Sequence, residues 1–179
     1  LATASVPRIS LGGLRLAVMR MEETADFMIG MALRPTGLGR PLHLTSANGE
    51  VLARCASEPE VGRLFRSADL INADGQPLVL ASRWKSRTPL PERVATTDLF
   101  HVVAAKAIAA NKSFYLFGAT PEENERAVAN VRRQYPDLNI VGHSHGYLRG
   151  QELSDKVDEI NRLAPDILWV ALGVPAEQA

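Results

Sequence analysis

The sequence predicts an α/β fold: a sandwich with a mostly parallel sheet and helices on both faces. Three observations carry this. Short continuous apolar runs, such as Phe114-Tyr-Leu-Phe and Ile167-Leu-Trp-Val, read as strands buried on both sides. Amphipathic helical stretches alternate with those runs. Several runs end in a glycine or a small polar residue followed at once by a helix start, the pattern of a strand-to-helix turn at the carboxyl edge of a sheet.

Composition sets the frame. The 179 residues are 46% hydrophobic and 22% charged, ordinary for a soluble globular chain. This length predicts a single domain, residues 1–179. The 20 basic and 20 acidic residues balance to zero, so no global field draws the chain to nucleic acid. The single cysteine, Cys55, excludes an intrachain disulfide and fits a small buried position, with the cytoplasm as the natural compartment. No apolar run approaches the ~18 residues needed to span a bilayer, and the amino terminus lacks a signal-peptide pattern.

Residues 1–40 form an N-terminal ribbon and helix. Residues 8–20 alternate around Gly12-Gly13, predicting a two-stranded ribbon, and Glu22 to Leu33 carries apolar residues at helical spacing. Met28, Met31 and Leu33 suit a homo-oligomer interface or burial within one chain equally well. Pro41 to Ser46 is the first central strand, with the polar cluster Thr45-Ser-Ala-Asn48 at its end. A helix with Val51, Leu52 and Cys55 on its apolar face follows, then a second short helix from Glu58.

Asp69-Leu-Ile-Asn-Ala-Asp-Gly75 is an apolar strand ending in a carboxylate and a glycine. Asp74 at that position faces the crevice where ligands of such sheets collect, and Gly75 is expected to let the backbone turn sharply. The other reading is an ordinary turn or helix-cap Asp-Gly pair. Pro77 to Trp84 starts a helix. Residues 85–95 are a basic, proline-punctuated loop, and Thr97-Asp98 is placed to cap the helix that runs to Ala110.

Ser113 to Phe117 is the next strand. Gly118 follows, with Thr120 as N-cap, Pro121 at the first helical position and Glu123 completing a capping box. Strands at 139–142 and 166–173 and a helix at 152–163 complete a Rossmann-like alternation. Four strand ends then share one rim: 45–48, 74–75, 118–120 and 173–178. The 118–121 turn opens a helix whose free N–H groups suit a phosphate, although it is neither GxGxxG nor a P-loop. Arg93 is a candidate for a phosphate or diphosphate, and Arg83, Lys85 and Arg87 read as solvated charges. His143 and His145 lack the third ligand a metal site needs, so no metal is assigned, and no nucleophile elbow supports a hydrolase.

Thr45 with Asn48, Ala68-Asp-Leu-Ile-Asn-Ala-Asp-Gly-Gln-Pro-Leu-Val79, Pro91-Glu-Arg-Val94 with Asp98-Leu99, Phe114 to Gly118, Tyr135-Pro136, Val141-Gly142 with Gly146-Tyr147, and Asp166 to Gly173 with Pro175 form an ordered set. That set resembles the WecG/TagA/CpsF bacterial glycosyltransferases from about residue 40 onward. The resemblance implies inverting, metal-independent transfer of a sugar from a UDP-sugar to a polyprenyl-diphosphate-linked sugar, in the assembly of a surface polysaccharide or wall polymer. It implies no cofactor, and a location at the inner face of the cytoplasmic membrane. It assigns Asp74 as general base, Thr45 and Asn48 to the donor site, and Arg93 to diphosphate charge; Gly75 and Gly118, at their strand ends, are further substrate-binding candidates. Glu177 and Gln178 fall where the family reads Gly-x-Pro-Lys-Gln-Glu, here Gly173-Val-Pro-Ala-Glu-Gln178, with the last two exchanged and the lysine absent. Family members usually continue in a tail that contributes arginines; that tail, expected to lie outside these 179 residues, is expected to dock on the membrane with help from the basic 83–93 region. The alternative is a non-catalytic nucleotide-sugar-binding module, and a dinucleotide oxidoreductase is disfavoured by the missing fingerprint.

Overall fold

In a computed structural model that describes residues 5–33 and 40–173, the chain is mixed α/β, with seven helices and seven strands among the described residues. It divides into two compact units whose boundary in sequence lies between Val102 and Val103.

The first unit begins with β1 (Arg8–Leu11) and β2 (Leu14–Ala17), an antiparallel hairpin. Gly12 and Gly13 turn it with φ of +55° and +83°, as a two-residue hairpin loop needs. Next come α1 (Met21–Ala32), β3 (Leu44–Ala47), α2 (Gly49–Ser57), α3 (Pro59–Ser67), β4 (Leu70–Ala73) and α4 (Gln76–Lys85). β3 and β4 pair in parallel, and β2 lies beside β4. α2 and α3 pack on each other, α2 against β3 and α3 against β2. Phe65 of α3, Leu70 of β4 and Leu14 and Leu16 of β2 are fully buried and form the centre of this core. Cys55 is buried and its thiol is unpaired, as a lone small hydrophobe should be.

Before β4, the Asp69 carboxylate accepts both terminal nitrogens of Arg40, at 2.7 and 2.8 Å, and the His43 backbone N–H at 2.9 Å. This clamps the entrances of β3 and β4 together.

The boundary falls within α5 (Thr96–Ala109). The second unit continues with β5 (Ser113–Gly118), α6 (Pro121–Gln134), β6 (Asn139–Ser144), α7 (Gln151–Leu163) and β7 (Ile167–Ala171). Its three strands are parallel in the order β6-β5-β7. Phe114, Tyr115 and Val128 are fully buried, and Phe114 stacks on Trp169 with ring centroids 6.4 Å apart. Burial, followed by the neighbouring Glu159 carboxylate that accepts its hydroxyl, pushes the Tyr115 phenol well above its ordinary value.

The expected α/β class with parallel strands is therefore what the chain has. The hydrogen bonding arranges those strands as a two-stranded ladder in one unit and a three-stranded ladder in the other. Among the described residues no helix is long and apolar enough to cross a membrane.

Candidate functional site

The parallel register aligns Ala47 with Ala73, so β3 and β4 end in step. Directly beyond, the Asp74 N–H donates to the Ala47 carbonyl at 2.9 Å, which sets Asp74 beside the start of α2. Asn48 is the N-cap of α2, its Oδ1 accepting the Val51 N–H at 2.9 Å, and it is exposed. Asp74 is half-buried, and among the described residues its carboxylate makes no hydrogen bond or ion pair.

The sequence reading needs correcting in its details here. Thr45 and Ser46 lie in the strand as expected, but β3 starts three residues later than Pro41 and runs on to Ala47; Thr45 stands opposite Ile71 within the ladder and is half-buried. The physical reason is that Asp69 captures the His43 N–H with its side chain, leaving regular pairing to begin at Leu44. Gly75, the N-cap of α4, does not provide the sharp turn expected of it. Its φ of −176° and ψ of 124° are extended backbone open to any residue. A Cβ there would come no closer than 3.6 Å to Asn48 and Leu78, an ordinary contact. What the glycine supplies is bare backbone between Asp74 and α4.

The irregular segment after α4 returns to this edge. Ser82 Oγ donates to the Val79 carbonyl at 2.7 Å and accepts the Leu90 N–H at 2.9 Å, fixing buried Leu90. Glu92 accepts the Met21 N–H at 2.7 Å, at the start of α1. The Val94 N–H then donates to the Ala73 carbonyl at 2.8 Å, the peptide that precedes Asp74. Two residues on, Thr96 Oγ1 and Ser46 Oγ share a hydrogen bond of 2.8 Å. Arg93 is thus delivered to the neighbourhood of Asp74 by backbone pairing. Its guanidinium meets Asp98 at 2.7 Å, both side chains about half exposed at 47% and 52%. An exposed pair of this kind contributes little to stability, so an incoming anion can replace Asp98 at small cost. Asp98 itself lies inside the first turn of α5, which starts at Thr96, rather than at its cap. Ser46 and Thr96 were not singled out as a pair by sequence reasoning; they are 50 residues apart and no local pattern joins them.

In the second unit, Gly118 ends β5 with φ +130°, and a Cβ there would lie 2.2 Å from the Ala171 carbonyl oxygen. The Ala119 N–H donates to that same oxygen at 2.8 Å, and the Gly146 N–H to the Ala119 carbonyl at 3.0 Å. Thr120 and Glu123 form the expected capping box of α6. Buried Asn124 donates to the Gly118 carbonyl at 3.1 Å and the Ser144 carbonyl at 3.0 Å, while its Oδ1 meets His143 Nδ1 at 2.8 Å. His143 lies within β6, which runs on to Ser144 beyond its expected end. His145 Nδ1 is buried without a partner among the described residues. Among those residues no group of three or more His, Cys, Asp or Glu side chains is placed to hold a metal. Glu177 and Gln178 lie outside the described residues.

Among the described residues, then, the Asp74 carboxylate lies without a partner at the edge where Asn48 is exposed. The sequence model of the glycosyl transferase WecG/TagA/CpsF family matches residues 9–179. The chain belongs to this family. A WecG/TagA/CpsF relative from Bacillus spizizenii, named N-acetylglucosaminyldiphosphoundecaprenol N-acetyl-beta-D-mannosaminyltransferase, is 31% identical over 135 residues, 75% of this chain and 51% of the relative. A protein of the same name from Bacillus subtilis is 28% identical over 135 residues, 75% of this chain and 52% of its own length. The chain spans about half the length of the curated relatives it matches.

Proposed function

We propose that the chain, read as one glycosyltransferase domain, transfers a sugar from a UDP-sugar to a sugar on a polyprenyl diphosphate, with inversion and without a metal, for a surface polysaccharide or wall polymer. Membership of the WecG/TagA/CpsF family supports the reaction class. The relatives' names support a lipid-diphosphate acceptor bearing N-acetylglucosamine and make N-acetylmannosamine the first donor sugar to try. The observation that carries the reading is the Asp74 carboxylate, without a partner among the described residues, at the shared end of β3 and β4, with Arg93 brought in by the bond from Val94 to Ala73.

In this reaction Asp74 accepts the proton of the acceptor hydroxyl as that oxygen forms its bond to the anomeric carbon. The bond from that carbon to the β-phosphate oxygen breaks on the opposite side, and UDP leaves with the electron pair. Arg93 releases Asp98 and turns its fork of donors to the diphosphate, meeting the charge that grows on the leaving group. Asn48 and the bare backbone of Gly75 contact substrate at the same edge, with Thr45 behind them; Gly118, Glu177 and Gln178 are the further substrate-binding positions. Such a reaction belongs on the cytoplasmic side of the membrane that holds the acceptor lipid.

Calorimetric titration of UDP, with and without magnesium, into wild type and Arg93→Ala tests the donor site. Equal affinity with and without magnesium, and roughly tenfold or greater weakening in the variant, is the expected outcome. Release of UDP from UDP-N-acetylmannosamine only when a lipid-diphosphate N-acetylglucosamine is added would then establish transfer. UDP binding without any turnover would favour a non-catalytic nucleotide-sugar-binding module instead.

A further inference from the structure

α4 turns two faces in different directions. Leu78, Val79 and Ser82 are buried, while Leu80 and Trp84, one turn apart, stand out of the surface, 50% and 93% exposed. Trp84 is the largest apolar side chain the described residues leave in solvent, so its exposure calls for a partner. Around it Arg83, Lys85 and Arg87 are exposed, and no ion pair among the described residues engages them. From Gly75 to Pro91 the chain has these three cations and no Asp or Glu, in a protein whose net charge is zero.

From this we infer that the Leu80–Trp84 face of α4, with Arg83, Lys85 and Arg87, docks the chain on an anionic lipid surface. Indole rings settle at the boundary between headgroups and acyl chains, and clustered cations next to them are drawn to acidic headgroups. The charge also argues against a second copy as occupant, because a two-fold contact would set this patch of three cations against its own image. The position is useful. Asp74 immediately precedes the N-cap of α4 and Trp84 closes its last turn, so about 15 Å of helix separates the membrane-facing end from the edge that holds Asp74. An acceptor whose lipid stays in the bilayer would present its headgroup sugar within that span. This last use rests on the transferase reading above; the docking surface does not.

Trp169→Phe leaves Trp84 as the sole indole, since the chain has two tryptophans. Titrated with vesicles of phosphatidylglycerol and phosphatidylcholine in low salt, this variant is expected to shift its emission to the blue and to co-sediment with the vesicles. Pure phosphatidylcholine should bind it much less, and high salt should release it. Arg83→Gln, Lys85→Gln and Arg87→Gln combined, or Trp84→Ser alone, should weaken binding roughly tenfold or more. Circular dichroism should be unchanged, because all four side chains are exposed. Absence of binding by the wild type, or binding unaffected in both variants, would overturn the inference. A dimer in sedimentation equilibrium that Trp84→Ser dissociates, with no vesicle binding, would also overturn it by assigning the face to a second copy. Because the readout is lipid binding, it stands or falls separately from glycosyl transfer.

Discussion

Where β3 and β4 end, the Asp74 carboxylate has no partner among the described residues; where β5 and β6 end, the buried Asn124 amide is bonded to the Gly118 and Ser144 carbonyls and to His143. Both ladders are parallel, and β3, β4 and β5 each pass into a helix within three residues of their ends. The glycines follow the same division. Gly118 occupies a backbone conformation and a space that admit no side chain, whereas Gly75 occupies neither. At the second ladder's end the Asn124 amide is consumed in holding the chain, whereas at the first the Asp74 carboxylate is held by nothing among the described residues.

Asp74→Asn probes this contrast with the largest expected effect. Turnover in the proposed reaction should fall about 10²–10⁴-fold for want of a base, while UDP affinity is kept and unfolding in urea shifts by no more than about 0.5 kcal/mol. A large loss of stability would mean that Asp74 serves the fold, and the contrast would fail. The two glycines test it next. Gly118→Ala should cost about 3 kcal/mol or more, because the methyl group is driven into the Ala171 carbonyl in a backbone region that disfavours it. Gly75→Ala should leave the urea midpoint nearly unchanged and weaken substrate binding, since its methyl group would occupy the space beside Asn48.

The smallest effect concerns the opposite end of the first ladder. The Arg40 hydrogen bonds, opposed by partial burial and aided by the His43 N–H, hold the Asp69 carboxyl below the ordinary carboxylate range. Its stabilising contribution is present above the unfolded carboxylate value of about 3.9 and is lost as pH falls from there through the lower folded value. Asp69→Asn should lower stability modestly at pH 7, where the carboxylate's contribution is fully present, and flatten the pH dependence of unfolding below about pH 4, where wild type has lost it too.

The sequence by itself determined what short-range chemistry decides. Alternating apolar runs and helical spacing marked the strands and helices, Gly12-Gly13 marked the hairpin, and Thr120, Pro121 and Glu123 marked the start of α6, because each signal acts within four residues of itself. Asp74 at a strand end was legible for the same reason. Only the tertiary structure decided that Val94 returns to Ala73, that Ser46 meets Thr96, and that Asn124 joins Gly118 to Ser144. Those bonds link segments from 6 to 50 residues apart, and they form because packing around buried groups such as Leu90 brings the segments together. Gly75 shows the boundary between the two. An Asp-Gly pair is compatible with several backbone conformations, and the choice among them fell to the parallel pairing of β4 and the helix that follows.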